Sequence, residues 1–215
     1  MGRRGRRRWL VDCTLLVVGA PAWAQPAAAA KKTLLVVGDS LSAEYGLARG
    51  TGWVALLDAR IAKEKLPWSV VNASISGDTT SGGRSRLPAL LQQHRPAVVI
   101  IELGGNDALR GLPIAMTRAN LAEMAKQARS AAARVLIAGM RVPPNYGRKY
   151  VDDFSAVFAS VAKAEGTALV PFLLKGIADG PDAETIFQPD RIHPKAEAHP
   201  RLLDNVWPVL RPLLR

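Results

Sequence analysis

Four short polar segments carry side chains that together could transfer an acyl group. They are Gly38-Asp39-Ser40, Ser76-Gly77-Asp78, Gly105-Asn106-Asp107 and Asp190-Arg191-Ile192-His193. Acyl transfer needs a nucleophile, a base, a group that orients the base, and donors for the oxyanion. Hydroxyl, imidazole, carboxylate and amide groups are all present in this set, so the sequence indicates a serine hydrolase.

Each of these groups can be assigned a role. Ser40 is the predicted nucleophile, and His193 is the predicted base because imidazole titrates near neutral pH. Asp190 lies three residues before His193 and can fold back to fix the tautomer of the ring. The predicted oxyanion donors are the backbone N–H groups of Ser40 and Gly77 and the side-chain amide of Asn106. Glycine at position 77 lets the backbone approach a substrate without a Cβ in the way.

The elements that must position these segments form an alternating pattern. Leu34 to Val37 is a short uncharged apolar run that ends at Gly38, which is typical of a buried strand. Further apolar runs follow at 68–73, 97–103, 134–140 and 168–172, separated by patterns that predict helices. This alternation predicts right-handed βαβ units and one parallel sheet. In such a sheet the carboxyl ends of the strands meet at one crevice, where ligands bind.

These residues resemble the SGNH (GDSL) hydrolase family. The matching blocks are Gly38-Asp39-Ser40-Leu41-Ser42, Asn72 to Thr79, Glu102 to Asp107 and Asp190 to Pro194, and the resemblance covers roughly residues 33 to 214. It implies a three-layer α/β/α sandwich, flavodoxin-like, with a five-stranded parallel sheet. It also implies a Ser40-His193-Asp190 triad, an oxyanion hole of Ser40, Gly77 and Asn106, and no metal or organic cofactor.

The chain is most similar to the periplasmic thioesterase, lysophospholipase and arylesterase branch of that family. The resemblance implies small-molecule acyl esters, thioesters or lysophospholipids as substrates, and substrate contacts from Ile75, Asp78, Thr79, Leu109 and Pro143. Three residues depart from the family pattern. Arg191 stands where glycine is usual, Glu44 stands where a small residue is usual, and Pro208 should bend or end the last helix.

The N-terminal segment of the chain bears on where the protein is located. Residues 1–24 have a basic head and a mostly apolar stretch ending in Ala22-Trp23-Ala24, which predicts a signal peptide cleaved after Ala24. The apolar stretch is too short to predict a stable membrane span. Residues 25–32 read as a linker and 33–215 as one hydrolase domain. We therefore expect a periplasmic or secreted protein, and we expect it to be a monomer.

The formal net charge of +11 also permits a nucleic-acid hypothesis. We expect no nucleic-acid partner, because the basic residues beyond the leader are scattered and no zinc-finger or RNA-binding motif accompanies them. The single cysteine, Cys13, falls in the predicted leader, so neither a disulfide framework nor a cysteine metal site is expected.

Alternatives remain at this point. Taken alone, Gly38-Asp39-Ser40 is also ordinary turn chemistry. A carbohydrate O-acetylesterase of the same family would carry the same residues. A non-catalytic flavodoxin-like binding module is disfavoured because residues 38–43 lack a glycine-rich phosphate loop. Asp39 should order the turn rather than reach His193, and His94 and His199 are expected at the surface.

Overall fold

The architecture is a single parallel sheet covered by helices, in a computed structural model that describes residues 1–2 and 31–215. Most of the predicted signal peptide and most of the predicted linker lie outside the described residues. The sheet has five strands in the spatial order β2-β1-β3-β4-β5, all parallel. The strands are β1 (Lys32–Gly38), β2 (Trp68–Asn72), β3 (Val98–Glu102), β4 (Arg134–Ala138) and β5 (Ala168–Val170).

Helices cover both faces of this sheet, which confirms the predicted three-layer α/β/α class. On one face α4 packs between α2 and α5, and on the other face α1 packs against α6. The α-helices are α1 (Trp53–Lys63), α2 (Thr80–His94), α3 (Gly105–Leu109), α4 (Ile114–Ser130), α5 (Arg148–Glu165) and α6 (His199–Leu210). Shorter 3₁₀ turns occupy 144–146, 196–198 and 211–214.

The strands form because their side chains are apolar on both faces, as a sheet covered on two sides requires. Every residue of β3 and the run Leu34–Gly38 of β1 is buried. The chain passes from β1 to β2 at one side and then crosses to β3 at the other side of β1. The carboxyl ends of β1 and β3 therefore flank the topological switch point, where open α/β sheets bind ligands.

The helices have three local features that the alternating pattern did not specify. The segment after β3 closes into the short helix α3, and α6 begins at His199, directly after the 3₁₀ turn at 196–198. Pro208 lies inside α6, two residues before that helix ends at Leu210. Among the described residues, no helix combines the length and apolar character needed to cross a bilayer.

The expectation of a surface location for His199 is wrong. Its side chain is 2% exposed, and its Nδ1 accepts a hydrogen bond of 3.0 Å from the backbone N–H of Trp53, the first residue of α1. The imidazole thus satisfies one of the free amide groups at a helix start. Burial lowers the pKa of His199, which favours the neutral ring that this acceptor role requires.

Candidate active site

A serine, a histidine and an aspartate lie in line at the carboxyl end of the sheet. Ser40 Oγ, two residues beyond β1, is 2.7 Å from Nε2 of His193. On the other side of the ring, Nδ1 of His193 is 2.6 Å from Oδ2 of Asp190. A carboxylate at Nδ1 favours a proton on that nitrogen, which leaves Nε2 free to accept the proton of the serine hydroxyl.

The histidine and the aspartate are held by a short turn before α6. Phe187 and Pro194 pair as an isolated antiparallel bridge that closes the turn. Within it, Oδ1 of Asp190 accepts from the backbone N–H groups of Ile192 at 2.9 Å and His193 at 3.0 Å. Although partial burial acts to raise it, these two N–H groups and the imidazole hold the pKa of Asp190 below its ordinary value. The carboxylate is therefore ionised across the neutral range.

The predicted oxyanion donors come from three different segments. Asn106 lies on α3, directly after β3, and its Nδ2 donates to Oδ2 of Asp39 at 3.1 Å. That contact uses one of the two amide protons and fixes the plane of the amide, so the second proton remains for a ligand. Within residues 31–215 the backbone N–H groups of Ser40 and Gly77 have no acceptor.

Gly77 has a backbone conformation that explains its residue type. Its φ of +80° lies in the region that side chains with a Cβ rarely adopt. The carbonyl of Gly77 accepts from the guanidinium of Arg110 at 2.7 Å. Because Arg110 caps the helix that carries Asn106, this bond links two of the three donor segments.

A second guanidinium, that of Arg86 on α2, ties the loop after β2 to the nucleophile strand. Its Nε donates to Oδ2 of Asp78 at 2.8 Å, and its two terminal nitrogens donate to the carbonyls of Ala73 and Gly38. Ala73 and Asp78 bracket the loop that carries Gly77. Arg86 therefore holds both ends of that loop in a fixed relation to the strand before Ser40.

Two buried carboxyl groups lie behind the nucleophile. Oδ1 of Asp39 accepts from the backbone N–H of Leu41 at 3.1 Å, so Asp39 orders the turn as expected. Glu102, the last residue of β3, is fully buried, and its Oε2 accepts from Ser42 Oγ at 2.7 Å and from the backbone N–H of Asp39 at 3.3 Å. A Cβ at Gly38 would lie 2.7 Å from this Oε2, so the glycine makes room for the glutamate.

Burial shifts the titration of both carboxyl groups in the same direction. Burial raises the pKa of Asp39 from an ordinary 3.8 to about 6, against the opposing effects of the Leu41 N–H and the nearby His193 and Asn106. Burial and the proximity of Asp39 raise the pKa of Glu102 well above its usual range. Glu102 is thereby favoured as a neutral acid, which suits a side chain whose Oε1 has no partner within the described residues.

The titration of Asp39 predicts a pH-dependent stability difference. Its folded-state pKa lies above its unfolded value, so ionising it costs folding free energy as the pH rises from about 4 to about 6. The Asp39→Asn variant lacks this cost. We expect the free energy of unfolding of the variant, relative to that of the wild type, to be roughly 2 to 3 kcal/mol higher at pH 8 than at pH 4. Urea denaturation of both proteins at several pH values measures the gain, and parallel pH profiles would contradict it.

The predicted substrate-side residues fall into two groups. Ile75 and Pro143 are exposed on the loops after β2 and β4, and Leu109 is exposed at the end of α3 after β3, all at the carboxyl end of the sheet. Asp78 and Thr79 instead use their side chains locally. Asp78 pairs with Arg86, and Thr79 Oγ1 accepts from the backbone N–H of Gly82 as the N-cap of α2. The first group therefore lies at the rim of the crevice, and the side chains of the second group hold the loop after β2 and the start of α2.

Sequence reasoning did not assign a supporting role to Glu102, Arg86 or Arg110. Only Glu102 gave a visible signal, because it is a charged residue at the end of the otherwise apolar run Val98-Val99-Ile100-Ile101. Arg86 and Arg110 have no such signal, since arginines on helices are ordinary surface residues. Their contacts depend on how α2 and α3 pack beside the sheet.

Similarity to known proteins agrees with this geometry. Residues 36–201 match the model of the GDSL-like Lipase/Acylhydrolase family. The chain is 56% identical over 186 residues to Esterase TesA of Pseudomonas aeruginosa, covering 86% of this chain and 91% of that protein. It is 43% identical over 187 residues to thioesterase 1/protease 1/lysophospholipase L1 of Escherichia coli K12, covering 87% of each.

A solved structure extends this similarity to the fold. The crystal structure of TesA superposes with a TM-score of 0.82 at 55% identity, covering 85% of this chain and 99% of that chain. The predicted fold class and the predicted hydrolase class are thereby confirmed. On the family match and these identities, the chain belongs to the GDSL-like lipase/acylhydrolase family.

Proposed function

We propose that this protein is an exported serine esterase that hydrolyses acyl esters and thioesters, lysophospholipids included, through Ser40, His193 and Asp190. The observation that carries the proposal is the continuous hydrogen-bonded line from Asp190 through His193 to Ser40, at 2.6 and 2.7 Å. The named activities of its relatives, esterase and thioesterase/lysophospholipase, support the same substrate class.

Acylation begins with attack of Ser40 Oγ on the substrate carbonyl carbon. Nε2 of His193 takes the hydroxyl proton as the new C–O bond forms, and Asp190 stabilises the resulting imidazolium. The carbonyl oxygen becomes an oxyanion that accepts from the N–H groups of Ser40 and Gly77 and from Nδ2 of Asn106. The imidazolium then gives its proton to the leaving oxygen or sulfur, whose bond to the carbonyl carbon breaks.

Deacylation repeats the same steps with water in place of the serine. His193 takes a proton from a water molecule, which attacks the carbonyl carbon of the acyl-enzyme. The second tetrahedral oxyanion occupies the same donors, and it collapses to release the carboxylic acid and restore the hydroxyl of Ser40. Each proton taken by the imidazole is returned within the same half-reaction, so His193 ends each half-reaction as the neutral base.

A substrate panel tests the reaction class. The purified chain is assayed with p-nitrophenyl esters of increasing acyl length, acyl-CoA thioesters and lysophospholipids, and an acetylated sugar serves as the comparison, with release of the acid as the common readout. We expect turnover of all three classes. Cleavage confined to acetyl groups on carbohydrates would replace the proposal with the O-acetylesterase alternative, and no cleavage of any ester would overturn it.

The export component has its own test. The support is the basic head, apolar stretch and Ala22-Trp23-Ala24 of the N-terminal segment. Expressed with its full N-terminus in a Gram-negative host, the protein should accumulate outside the cytoplasm and begin at Gln25. The intact mass of the fractionated protein measures this, and a cytoplasmic chain that retains residues 1–24 would refute export.

A further inference from the structure

Tyr45 places an aromatic ring directly against the imidazole of His193. The two ring centroids are 4.4 Å apart, and the ring planes are inclined by 39°. Tyr45 is 50% exposed, so its ring is shared between the histidine and solvent. The aromatic residues of the described core, such as Trp53 and Phe154, are fully buried elsewhere. Burial in the core therefore does not explain the position of the Tyr45 ring.

The backbone at Tyr45 is fixed on both sides. Its N–H donates to the carbonyl of Ser40 at 3.3 Å, and its carbonyl accepts from Nε2 of Gln188 at 3.0 Å. Gln188 also donates its backbone N–H to the carbonyl of His193 at 2.8 Å. Tyr45 is thus attached at one end to the nucleophile turn and at the other end to the turn that carries the histidine.

Glu44 sets the direction in which the chain enters Tyr45. Its φ of +59° is in the left-handed region, and its carboxylate accepts from the backbone N–H groups of Gly50 and Gly52. Those bonds, at 3.0 and 2.8 Å, close the loop that leads into α1. A residue at this position that could not make them would leave the loop and the adjoining tyrosine less constrained.

In the proposed mechanism the leaving group departs beside the imidazole of His193, and the Tyr45 ring lies against that imidazole. Nε2 of His193 returns its proton to the leaving oxygen, which requires that oxygen within about 3 Å of the nitrogen. The rest of the leaving group then emerges beside the imidazole, next to Tyr45. The oxyanion donors Gly77 and Asn106 lie on the loop after β2 and on helix α3, and in the proposed mechanism they bind the carbonyl oxygen.

We infer that Tyr45 is a specificity-determining residue for the leaving group and favours aryl over alkyl esters by offering an aromatic contact beside His193. The inference rests on the proposed function, since a leaving group exists only if the site cleaves esters. Aromatic side chains gain affinity from ring contacts beyond their simple burial. We expect this contact to change the preference between aryl and alkyl leaving groups by about tenfold.

The test compares two acetate esters that form the same acetyl-enzyme. Phenyl acetate has an aryl leaving group, and trifluoroethyl acetate has an alkyl leaving group that is also electron-poor. Because the acyl group is shared, kcat/KM reports binding and acylation for each ester, and deacylation does not enter the comparison.

The variants are Tyr45→Leu and Tyr45→Phe. Tyr146→Leu is the matched control, since Tyr146 is another half-exposed tyrosine, stacked on Tyr150 beyond β4.

Tyr45→Leu should lower kcat/KM for phenyl acetate about tenfold and for trifluoroethyl acetate less than about twofold. Tyr45→Phe and Tyr146→Leu should keep the wild-type ratio between the two esters. Equal losses of kcat/KM on both esters would mean that Tyr45 only holds His193 in place. Unchanged kcat/KM on both esters would mean that Tyr45 does not act in the site. Either result overturns the inference while the esterase proposal stands. Failure of the unaltered protein to cleave either ester would overturn the proposed function and this inference together.

Discussion

Replacement of Ser40 by alanine is expected to reduce the turnover of aryl esters by at least about a thousandfold. The hydroxyl of Ser40 lies 2.7 Å from Nε2 of His193, and alanine would leave the imidazole with water to activate in its place. Hydrolysis of p-nitrophenyl esters by purified wild-type and Ser40→Ala protein measures the loss. Residual activity above water can persist, because the oxyanion donors are untouched.

The control is a serine of the same chain that has only a local role. Ser85 lies exposed on α2, and its Oγ donates to the carbonyl of Ser81 within that helix. Ser85→Ala should retain wild-type turnover, and circular dichroism should show that both variants fold. Aryl-ester cleavage by Ser40→Ala at the wild-type rate would refute Ser40 as the nucleophile and, with it, the whole assignment of the triad.

The main elements could be predicted because their causes are local. Short β-branched apolar runs such as Val98 to Ile101 indicate buried strands, and their alternation with helices indicates a parallel sheet. A parallel sheet brings the residues after β1 and β3 together, whatever the details of the loops. That is why Ser40 and Asn106 could be assigned to one crevice although 66 positions separate them in the chain.

Two residues near the crevice, Arg191 and Glu44, differ from the family pattern, and their effect is visible only in the structure. Arg191 has φ +56° and Glu44 has φ +59°, so both occupy the left-handed conformation that glycine adopts without strain. The glycine usual at position 191 in the family therefore has a conformational explanation, and the side chain of Arg191 is an addition to that turn. Glu44 uses its carboxylate to bind the backbone of the next loop, which the residue type alone did not indicate.

Other features depend on contacts between distant elements, and the sequence carries no local trace of them. His199 is a surface residue by composition, yet packing of α6 on α1 buries it against the N–H of Trp53. The raised pKa of Asp39 likewise depends on the burial that β1, β3 and α3 create jointly. The sequence shows which titratable groups are present, and the packing of helices and strands sets their burial and hence their pKa values.

Replacement of Asn106 by alanine is the second change with a large expected effect. One oxyanion donor of this kind contributes about 3 to 4 kcal/mol in the transition state, so kcat should fall by about a hundredfold to a thousandfold. KM should change little, because the donor binds the oxyanion more strongly than the ground-state carbonyl. Steady-state kinetics on a p-nitrophenyl ester measures both constants. A rise in KM with kcat unchanged would show instead that Asn106 binds substrate without stabilising the transition state.

A double-mutant cycle with Asp39→Asn separates the amide from the carboxylate that holds it. Oδ2 of Asp39 contacts Nδ2 of Asn106 at 3.1 Å, so part of the catalytic effect of Asp39 should pass through that amide. The two substitutions should then be non-additive, and Asp39→Asn should lower kcat less in the Asn106→Ala background than in the wild type. Additive losses would mean that Asp39 acts through the Leu41 turn or through His193 instead. Because Asp39 is 3% exposed and cannot reach substrate directly, the cycle decides whether its effect on the reacting carbonyl passes through the amide of Asn106.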